Sequence, residues 1–370
     1  MKDGMIKMKV FRILIITLCS KNNAARRNIK YLKKQRSEIG MIDVAKIRYL
    51  CFGVGGANGW VFVGFLMALE SALMQQQTSL AHQIRGVAGA SIGSVMALAV
   101  VLNFGAIELC ELLKRCTYKY KDVVRRVNVF DIMSKKGIMS TDVIRCVVGD
   151  MIAQKLGDSR RDITMAELYA HSNKDYVLTT HNVTRMRGEY IDRHTHGNLP
   201  VWKAISMSCA IPGIFHAVEH HGSLYVDAGI SNGLPFECFP LEESLVFHLS
   251  SHHEFVQADV MSVQEFFCRL THAFDTTLTH KLNAVPKHLR HHILTLEVPC
   301  LIQSALDGFI LSDTDRDRLI HAGLTAGQML VHYQLALVSQ AAVLYLSCTR
   351  GISSQRPPAV QGEPGVYDAQ

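Results

Sequence analysis

The sequence predicts an α/β protein in which a mainly parallel central sheet lies between helices. Residues 48–52 form a short apolar segment that runs into a glycine-rich loop, and apolar residues then recur at helical spacing over residues 60–73. The same order of strand, loop and helix recurs at residues 84–88, 89–93 and 92–102. Because strands joined through crossover helices lie parallel, this alternation favours a parallel sheet.

The first loop, residues 53–59, has glycine at positions 53, 55, 56 and 59. It lies between a predicted strand and the start of a predicted helix. Backbone N–H groups at a helix start lack intrahelical partners and suit an anion. The loop is therefore a candidate oxyanion hole.

The second loop places Ser91 in a G-x-S-x-G pattern, between Gly89 and Gly93. In this pattern a strand turns sharply into a helix and leaves the serine hydroxyl exposed at the apex. Glycine is needed on both sides because the two backbones nearly touch. A lone G-x-S-x-G is a weak signal, since a tight turn without chemistry has the same sequence. Ser91 is nevertheless the candidate nucleophile of a serine hydrolase.

The middle of the chain continues the alternation. Apolar residues recur at helical spacing over residues 131–155 and 164–169, and residues 176–180 form the next predicted strand. Thr164 or Asp162 is the predicted cap of the second helix, because Glu167 stands at the capping-box position relative to Thr164.

An aspartate ends the next predicted strand. Residues 202–208 begin a helix that breaks at Pro212, and residues 223–226 then lead into Asp227-Ala228-Gly229. Alone, Asp227 would be interpreted as a residue that caps a turn. Together with Ser91 it becomes the candidate base of a hydrolase.

Helices dominate the prediction after Val263, and residues 311–313 are expected to cap one that continues through Ile320. Residues 329–348 contain no charged residue, and this uncharged segment is long enough for a transmembrane span. A buried or interface-facing amphipathic helix is the favoured interpretation, because polar residues interrupt the segment.

Basic residues are concentrated at the start of the chain. Residues 1–50 hold 13 Lys and Arg against 3 Asp and Glu, whereas the whole chain has a formal charge of +7. The rest is therefore slightly negative, which argues against a nucleic-acid groove. The favoured interpretation of the basic segment is a disordered or non-native extension, with Met41 as the true start. A membrane-associating anchor is the alternative.

The ten cysteines are scattered singly, without a disulfide framework. This distribution predicts a reducing, cytoplasmic setting and not a secreted protein. The adjacent histidines lack the Cys or carboxylate companions of zinc sites, so no metal and no cofactor is expected.

Taken in order, the glycine-rich loop, the serine motif and the aspartate motif resemble those of the patatin-like phospholipase family. The resemblance covers residues 49–236 and includes the small-residue segment 206–212. It implies a three-layer fold with C-terminal helices, and a lipid acyl hydrolase with a Ser-Asp dyad and no catalytic histidine. It also implies a lipid or phospholipid substrate and peripheral contact with a membrane surface.

Carried over residue by residue, the resemblance implies Ser91 as the nucleophile and Asp227 as the base. The amides implied for the oxyanion hole belong to Gly55, Gly56, Ala57 and Ile92. The remaining motif glycines are Gly59, Gly89, Gly93 and Gly229.

Three residues depart from the family pattern. The family loop usually reads G-G-G-x-R/K-G, whereas Val54 and Asn58 replace its first glycine and its basic residue. Ala228 stands where the family has glycine. A catalytically weak lipid-binding or scaffolding relative is therefore an alternative from a different functional class.

Two other chemistries have similar motifs. A nucleotide-binding loop is excluded, because the glycines miss the G-x-G-x-x-G spacing and no Gly-Lys-Ser/Thr follows them. An α/β-hydrolase with a Ser-His-Asp triad stays an alternative. It needs a histidine after its acid. The histidines available are His248, His252, His288 and His321.

The predicted organisation has four parts. They are a basic extension over residues 1–45, a catalytic core over 46–240, a mainly helical part packed on the core over 241–349, and a disordered tail over 350–370.

Overall fold

In the computed structural model, residues 42–124, 126–252, 276–299 and 311–331 are described. The predicted C-terminal tail and nearly all of the predicted basic extension lie outside them, and so does most of the apolar segment 329–348.

Ten strands are defined within these residues. In chain order they are β1 (Tyr49–Phe52), β2 (Gly86–Ala90), β3 (Gly137–Met139), β4 (Asp175–Asn182), β5 (Arg187–Ile191), β6 (Gly213–Phe215), β7 (Val218–His220), β8 (Ser223–Val226), β9 (Ser244–His252) and β10 (Ile293–Pro299).

The helices alternate with these strands. Within the described residues they are α1 (Trp60–Gln75), α2 (Leu80–Gln83), α3 (Ile92–Val101), α4 (Ala106–Lys119), α5 (Lys121–Val124), α6 (Asp131–Lys135), α7 (Asp142–Leu156), α8 (Met165–Ser172), α9 (Val201–Cys209), α10 (Thr276–Ala284) and α11 (Asp313–Val331).

The main sheet has the strand order β10-β9-β1-β2-β4-β8-β7, and β5 also pairs with β4. The first five of these strands are parallel to their neighbours, whereas β5, β8 and β7 pair antiparallel. β3 and β6 form a separate parallel pair. The predicted α/β fold with a mainly parallel sheet is confirmed.

Apolar residues cover both faces of the main sheet. On one face, Phe52 of β1 and Phe247 of β9 stack with ring centroids 5.0 Å apart, and Phe65 of α1 stacks on Phe247 at 4.9 Å. On the other face, buried residues of β1, β2 and β9 pack with the chain around residues 234–241 and with α10. The sheet is thus a middle layer.

The last described helix, α11, packs closely on α1 through glycines. A Cβ on Gly64 would lie 2.0 Å from the Ile320 carbonyl oxygen, and one on Gly323 would lie 1.9 Å from the Val61 carbonyl oxygen. Side chains cannot occupy either position. A helix therefore packs on the core where the sequence predicted C-terminal helices.

Two predicted helix caps are present. The Thr164 side chain accepts from the Glu167 amide while the Glu167 carboxylate accepts from the Thr164 amide, so α8 begins with the predicted capping box. The Ser312 hydroxyl accepts from the Asp315 amide at the start of α11.

The prediction of one helix over residues 131–155 is wrong. α6 ends at Lys135, the next residue Lys136 is left-handed with φ 65°, and β3 follows before α7 begins. Gly137 lies so close to β6 that a Cβ would meet the Phe215 carbonyl oxygen at 2.0 Å. The helical pattern is therefore interrupted by a pairing with a strand far along the chain.

The prediction that residues 241–349 are mainly helical omitted two strands. β9 lies beside β1, and β10 lies beside β9, so both extend the main sheet. The sheet of the predicted catalytic core consequently continues past residue 240. Parallel strands buried on both faces lack a clear alternating pattern, which makes them hard to recognise in sequence.

Among the described residues, one helical segment, Gly56–Gln75, has the length and hydropathy of a membrane span. In the most apolar stretch of this segment, 67% is buried inside the protein, as is usual for a central core helix.

Candidate active site

Ser91 lies at the turn between β2 and α3 in a strained backbone conformation, with φ 53° and ψ −129°. A Cβ on Gly89 would lie 2.5 Å from the Gly93 carbonyl oxygen, and one on Gly93 would lie 2.4 Å from the Phe52 carbonyl oxygen. Both motif glycines are therefore required by close approach of backbones. Strain of this kind costs about 1–3 kcal/mol and is typical of functional residues.

Two hydroxyl groups hold the backbone of Ser91. Its N–H donates to the Ser208 hydroxyl at 2.9 Å, and its carbonyl accepts from the Ser94 hydroxyl at 2.6 Å. Ser208 belongs to α9, in the small-residue segment noted in the sequence. Neither serine was assigned a role in the sequence analysis.

The sheet register brings Asp227 to Ser91. Ala90 of β2 lies opposite Thr179 of β4, and Val226 of β8 lies opposite His181. Since β2 and β8 run in opposite directions, the next residue of each strand falls beside Thr180. The predicted serine and aspartate therefore meet at the carboxyl edge of the parallel strands.

The two side chains are hydrogen bonded. Ser91 Oγ donates to Asp227 Oδ2 at 2.6 Å, and Asp227 Oδ1 accepts from the Gly229 amide at 2.8 Å. The Asp227 amide donates to the Ala210 carbonyl at 2.9 Å. Gly229 thus orients the carboxylate through its N–H, and a Cβ there would lie 3.1 Å from Asp227 Oδ1.

Burial sets the electrostatics of this pair. Ser91 and Asp227 are 5% and 6% exposed. Burial raises the pKa of the Asp227 carboxyl to about 6, although the hydrogen bonds from Ser91 and Gly229 oppose this shift. Burial also raises the pKa of the neighbouring Cys209 thiol, which therefore stays neutral. Asp227 is a stronger base here than an exposed aspartate.

The glycine-rich loop is fixed by its first two amides. The Gly53 N–H donates to the Phe247 carbonyl at 2.9 Å, and the Val54 N–H donates to the Gly233 carbonyl at 2.8 Å. Gly56 has φ 50°, and a Cβ there would meet nothing within 4 Å. Glycine at position 56 is therefore needed for backbone conformation and not for space.

The loop packs against the start of the serine helix. A Cβ on Gly59 would lie 2.4 Å from Ile92 Cγ1, and one on Gly55 would lie 3.4 Å from Ile92 Cγ2. Within the described part of the chain, no acceptor takes a hydrogen bond from the amides of Gly55, Gly56, Ala57 and Ile92. The loop and the start of the serine helix, which carry the predicted oxyanion donors, thus lie side by side, and the catalytic role of these amides stays a prediction.

The departures from the family loop fit their surroundings. The Val54 side chain fills the space beside the aspartate loop, where Cβ atoms on Gly229 and Gly233 would lie 3.7 and 3.3 Å from its methyl groups. Ala228 is fully buried. Asn58 is buried in a 3-10 turn and has no left-handed backbone.

The histidines of the alternative triad lie in different surroundings. His248 contacts the Thr295 hydroxyl at 3.2 Å, and burial lowers its pKa to about 4. His288 and His321 are exposed, and the His252 side chain is outside the described residues. No group of three or more metal-ligating side chains is found in the residues that the structure describes.

The model of a family described as patatin-like phospholipase matches residues 50–239. An uncharacterized protein of Acanthamoeba polyphaga mimivirus is 20% identical over 215 residues, which are 58% of this chain and 69% of that protein. An uncharacterized NTE family protein of Mycobacterium bovis is 25% identical over 186 residues, which are 50% of this chain and 43% of that protein. The chain therefore spans less than half the length of the mycobacterial relative.

Two solved structures match this chain weakly and at low sequence identity. VipD from Legionella pneumophila gives a TM-score of 0.46 at 14% identity, covering 80% of this chain and 70% of that chain. ExoU of Pseudomonas aeruginosa, in its complex with SpcU, gives 0.41 at 15%, covering 80% and 52%. Both likenesses are weak, and the family match is the stronger finding.

Proposed function

Because the chain belongs to the patatin-like phospholipase family, we propose that it is a lipid acyl hydrolase in which Ser91 is the nucleophile and Asp227 is the base. The substrate class is a lipid with carboxylic ester bonds, met at a membrane surface. The observation that carries the proposal is the 2.6 Å hydrogen bond from Ser91 Oγ to the buried Asp227 carboxylate.

The first half of the proposed reaction forms an acyl-enzyme. Ser91 Oγ attacks the ester carbonyl carbon while its proton passes to Asp227 Oδ2. The amides of the loop and of Ile92 stabilise the negative oxygen of the tetrahedral intermediate. When the intermediate collapses, the carbon–oxygen bond to the alcohol breaks, and the leaving oxygen takes the proton from Asp227.

The second half releases the fatty acid. Asp227 accepts a proton from water as the water oxygen attacks the acyl carbonyl carbon. Collapse of this second intermediate breaks the bond to Ser91 Oγ, which recovers its proton from Asp227. A pKa near 6 suits a group that must accept and return a proton near neutral pH.

Kinetics of point variants test the proposal. We expect Ser91→Ala and Asp227→Asn each to reduce hydrolysis of p-nitrophenyl butyrate by at least about a thousandfold. Because the two side chains act as one unit, the double variant loses little more. Mass spectrometry of products from mixed lipids then identifies the ester that is cleaved.

Two outcomes would contradict the assignment of roles. If Asp227→Asn kept most of the activity while alanine at one late histidine abolished it, the Ser-His-Asp alternative would replace the dyad. If the folded wild-type protein bound lipid without hydrolysing any ester, the chain would be a lipid-binding or scaffolding relative.

A further inference from the structure

A short surface segment exposes four large apolar side chains. Val127, Val129, Phe130 and Met133 have exposed fractions of 41%, 61%, 84% and 81%. These four residues are called the apolar tip below. Single exposed apolar residues are normal on a protein surface, whereas a group at such exposure marks an interaction site.

Hydrogen bonds hold the backbone of the tip in place. Val127 forms a bridge with Met139, and the Asn128 N–H donates to the Ile138 carbonyl at 2.8 Å. The Asn128 side chain accepts from the Phe130 amide at 3.1 Å. The apolar side chains are therefore presented to solvent by an ordered turn.

The charged residues that flank the tip in sequence are mostly basic. Asp131 is only 18% exposed, because its carboxylate pairs with Lys135 at 3.0 Å and lies 3.2 Å from His216 Nε2. The charge of Asp131 is thus compensated locally, whereas Arg126 and Lys136 are exposed, as is Asp122 at the start of the segment. Between positions 121 and 136 the acidic residues are Asp122 and Asp131, and the basic ones are Lys121, Arg125, Arg126, Lys135 and Lys136.

The base of the tip is joined to the candidate active site. The Gly213 amide donates to the Lys136 carbonyl at 3.3 Å, and the Asp227 amide donates to the Ala210 carbonyl at 2.9 Å. Gly213 is three positions after Ala210, and a chain extends at most about 3.6 Å per residue, so the Lys136 backbone lies within about 17 Å of the Asp227 backbone.

We propose that the apolar tip docks this protein on an anionic lipid bilayer, with Phe130 and Met133 inserted at the interface and Arg126 and Lys136 against the negatively charged headgroups. The proposal rests on the proposed function, because a hydrolase of membrane lipids must reach its substrate at a bilayer. Apolar side chains with a basic rim are the chemistry that binds anionic membranes. A second copy of the chain would bring the same positive rim against itself, which disfavours dimerisation here.

Vesicle sedimentation of the full chain tests the proposal, with vesicles of phosphatidylcholine alone and of phosphatidylcholine with phosphatidylserine. Phe130→Ser/Met133→Ser should bind the mixed vesicles at least about tenfold more weakly, because two large side chains lose their burial in lipid. The loss should persist at high salt, where electrostatic binding by other basic segments is screened.

A matched control changes two other exposed apolar residues, Met74 and Ile107, which are 74% and 67% exposed. α1 and α3 both begin at the edge of the sheet that carries the candidate site and run away from it. Met74 lies in the last turn of α1, and Ile107 follows the end of α3. Both residues therefore lie towards the opposite edge of the sheet. Met74→Ser/Ile107→Ser should therefore bind vesicles like the wild type.

The basic rim is tested separately. Arg126→Gln/Lys136→Gln should weaken binding to phosphatidylserine-containing vesicles by about fivefold per charge and leave binding to neutral vesicles unchanged. Insertion is read directly from Phe130→Trp, whose added fluorescence should shift to the blue with vesicles, whereas that of Met74→Trp should not. Because this measurement uses a single substitution and a gain of signal, it stays interpretable even if the double variants fail to fold.

Hydrolysis of soluble p-nitrophenyl butyrate separates the two proposals. The tip variant should retain this activity, because the ester reaches the site without a bilayer. Equal vesicle binding by the tip variant and its control, or an unshifted Phe130→Trp spectrum, would overturn the docking proposal. A tip that binds an acidic protein and not a bilayer would give these same results. An inactive wild type that still binds vesicles through the tip would overturn the proposed function alone.

Discussion

Asp227 is the proposed base, and its environment is unfavourable for its charge. Its pKa is raised from the ordinary value to about 6 by burial, so the folded state binds the proton more tightly than the unfolded state does. Ionising the buried carboxyl destabilises the fold. This destabilisation is absent below the unfolded pKa, near pH 4, and reaches its full size above about pH 6. Its contribution to folding thus becomes more unfavourable as the pH rises through this window.

Replacement of Asp227 by asparagine should therefore stabilise the protein while inactivating it. A shift of two pKa units corresponds to about 3 kcal/mol, which sets the upper limit of the gain in free energy of unfolding at pH 7. Denaturant unfolding of Asp227→Asn and wild type at pH 7 and pH 4 measures it. The gain should shrink at pH 4.

Asp122→Asn is a suitable control for this experiment, because Asp122 is exposed. Its stability should match that of the wild type at both pH values. A destabilised Asp227→Asn at pH 7 would contradict the argument that the buried carboxylate is charged at a cost to folding.

Ser208 supports the strained serine turn from a distance of 117 residues in sequence. Ser208→Ala would leave the buried Ser91 amide without an acceptor, at a cost of about 1–3 kcal/mol. Because the turn positions the proposed nucleophile, we expect kcat on p-nitrophenyl butyrate to fall about tenfold or more while KM changes little.

Ser206→Ala provides the matched comparison for Ser208→Ala. Ser206 is buried on the same helix, but its hydroxyl donates to the Trp202 carbonyl within that helix. Its loss should leave kcat near the wild-type value. Equal kcat values for the two variants would show that the Ser208 hydroxyl does not position Ser91.

At the scale of elements, glycines set how closely α1 and α11 approach each other. Gly323→Ala would place a Cβ 1.9 Å from the Val61 carbonyl oxygen, so the helices must separate. We expect a lower Tm despite the higher helix propensity of alanine. Since α1 follows the glycine-rich loop directly, the ester hydrolysis rate should fall as well.

Gly105→Ala controls for the substitution itself, because a Cβ at Gly105 meets nothing within 4 Å and its φ is −70°. Thermal unfolding should show no loss for this variant. If Gly323→Ala unfolded at the wild-type temperature, the close packing of the two helices would be refuted.

The sequence predicted those elements whose signals are local. The strand, turn and helix around Ser91 follow from apolar periodicity and two glycines within a few residues, and the cap at Thr164 follows from a residue three positions away. β3 was missed because Gly137 is constrained by β6, far along the chain. β9 and β10 were missed because their burial in the middle of a sheet depends on neighbours distant in sequence.

The same division applies to the candidate site. Ser91 and Asp227 were found because each follows a strand in a recognisable motif. The hydroxyls of Ser94 and Ser208 were not found, since their contacts with the Ser91 backbone depend on the turn and on the packing of α9. No sequence spacing encodes such contacts.

At the scale of the whole molecule, the sheet organises the chemistry. β1, β2 and β4 end at one edge, β8 meets β4 beyond the end of β2, and β9 supplies the carbonyl that holds the glycine-rich loop. Segments from residue 49 to residue 247 thus converge on one site. Nearly all of the basic extension lies outside the described residues, and a membrane anchor stays the alternative interpretation of it.

The central claim is that Asp227 activates Ser91 as a nucleophile. Its most direct test is the rate at which a fluorophosphonate probe labels the protein, followed by intact-mass spectrometry from pH 4 to pH 9. We predict one label on Ser91, a rate that rises through about pH 6 as Asp227 loses its proton and then levels off, and no label on Ser91→Ala or Asp227→Asn. Rapid labelling of Asp227→Asn, or a label on another residue, would contradict the account.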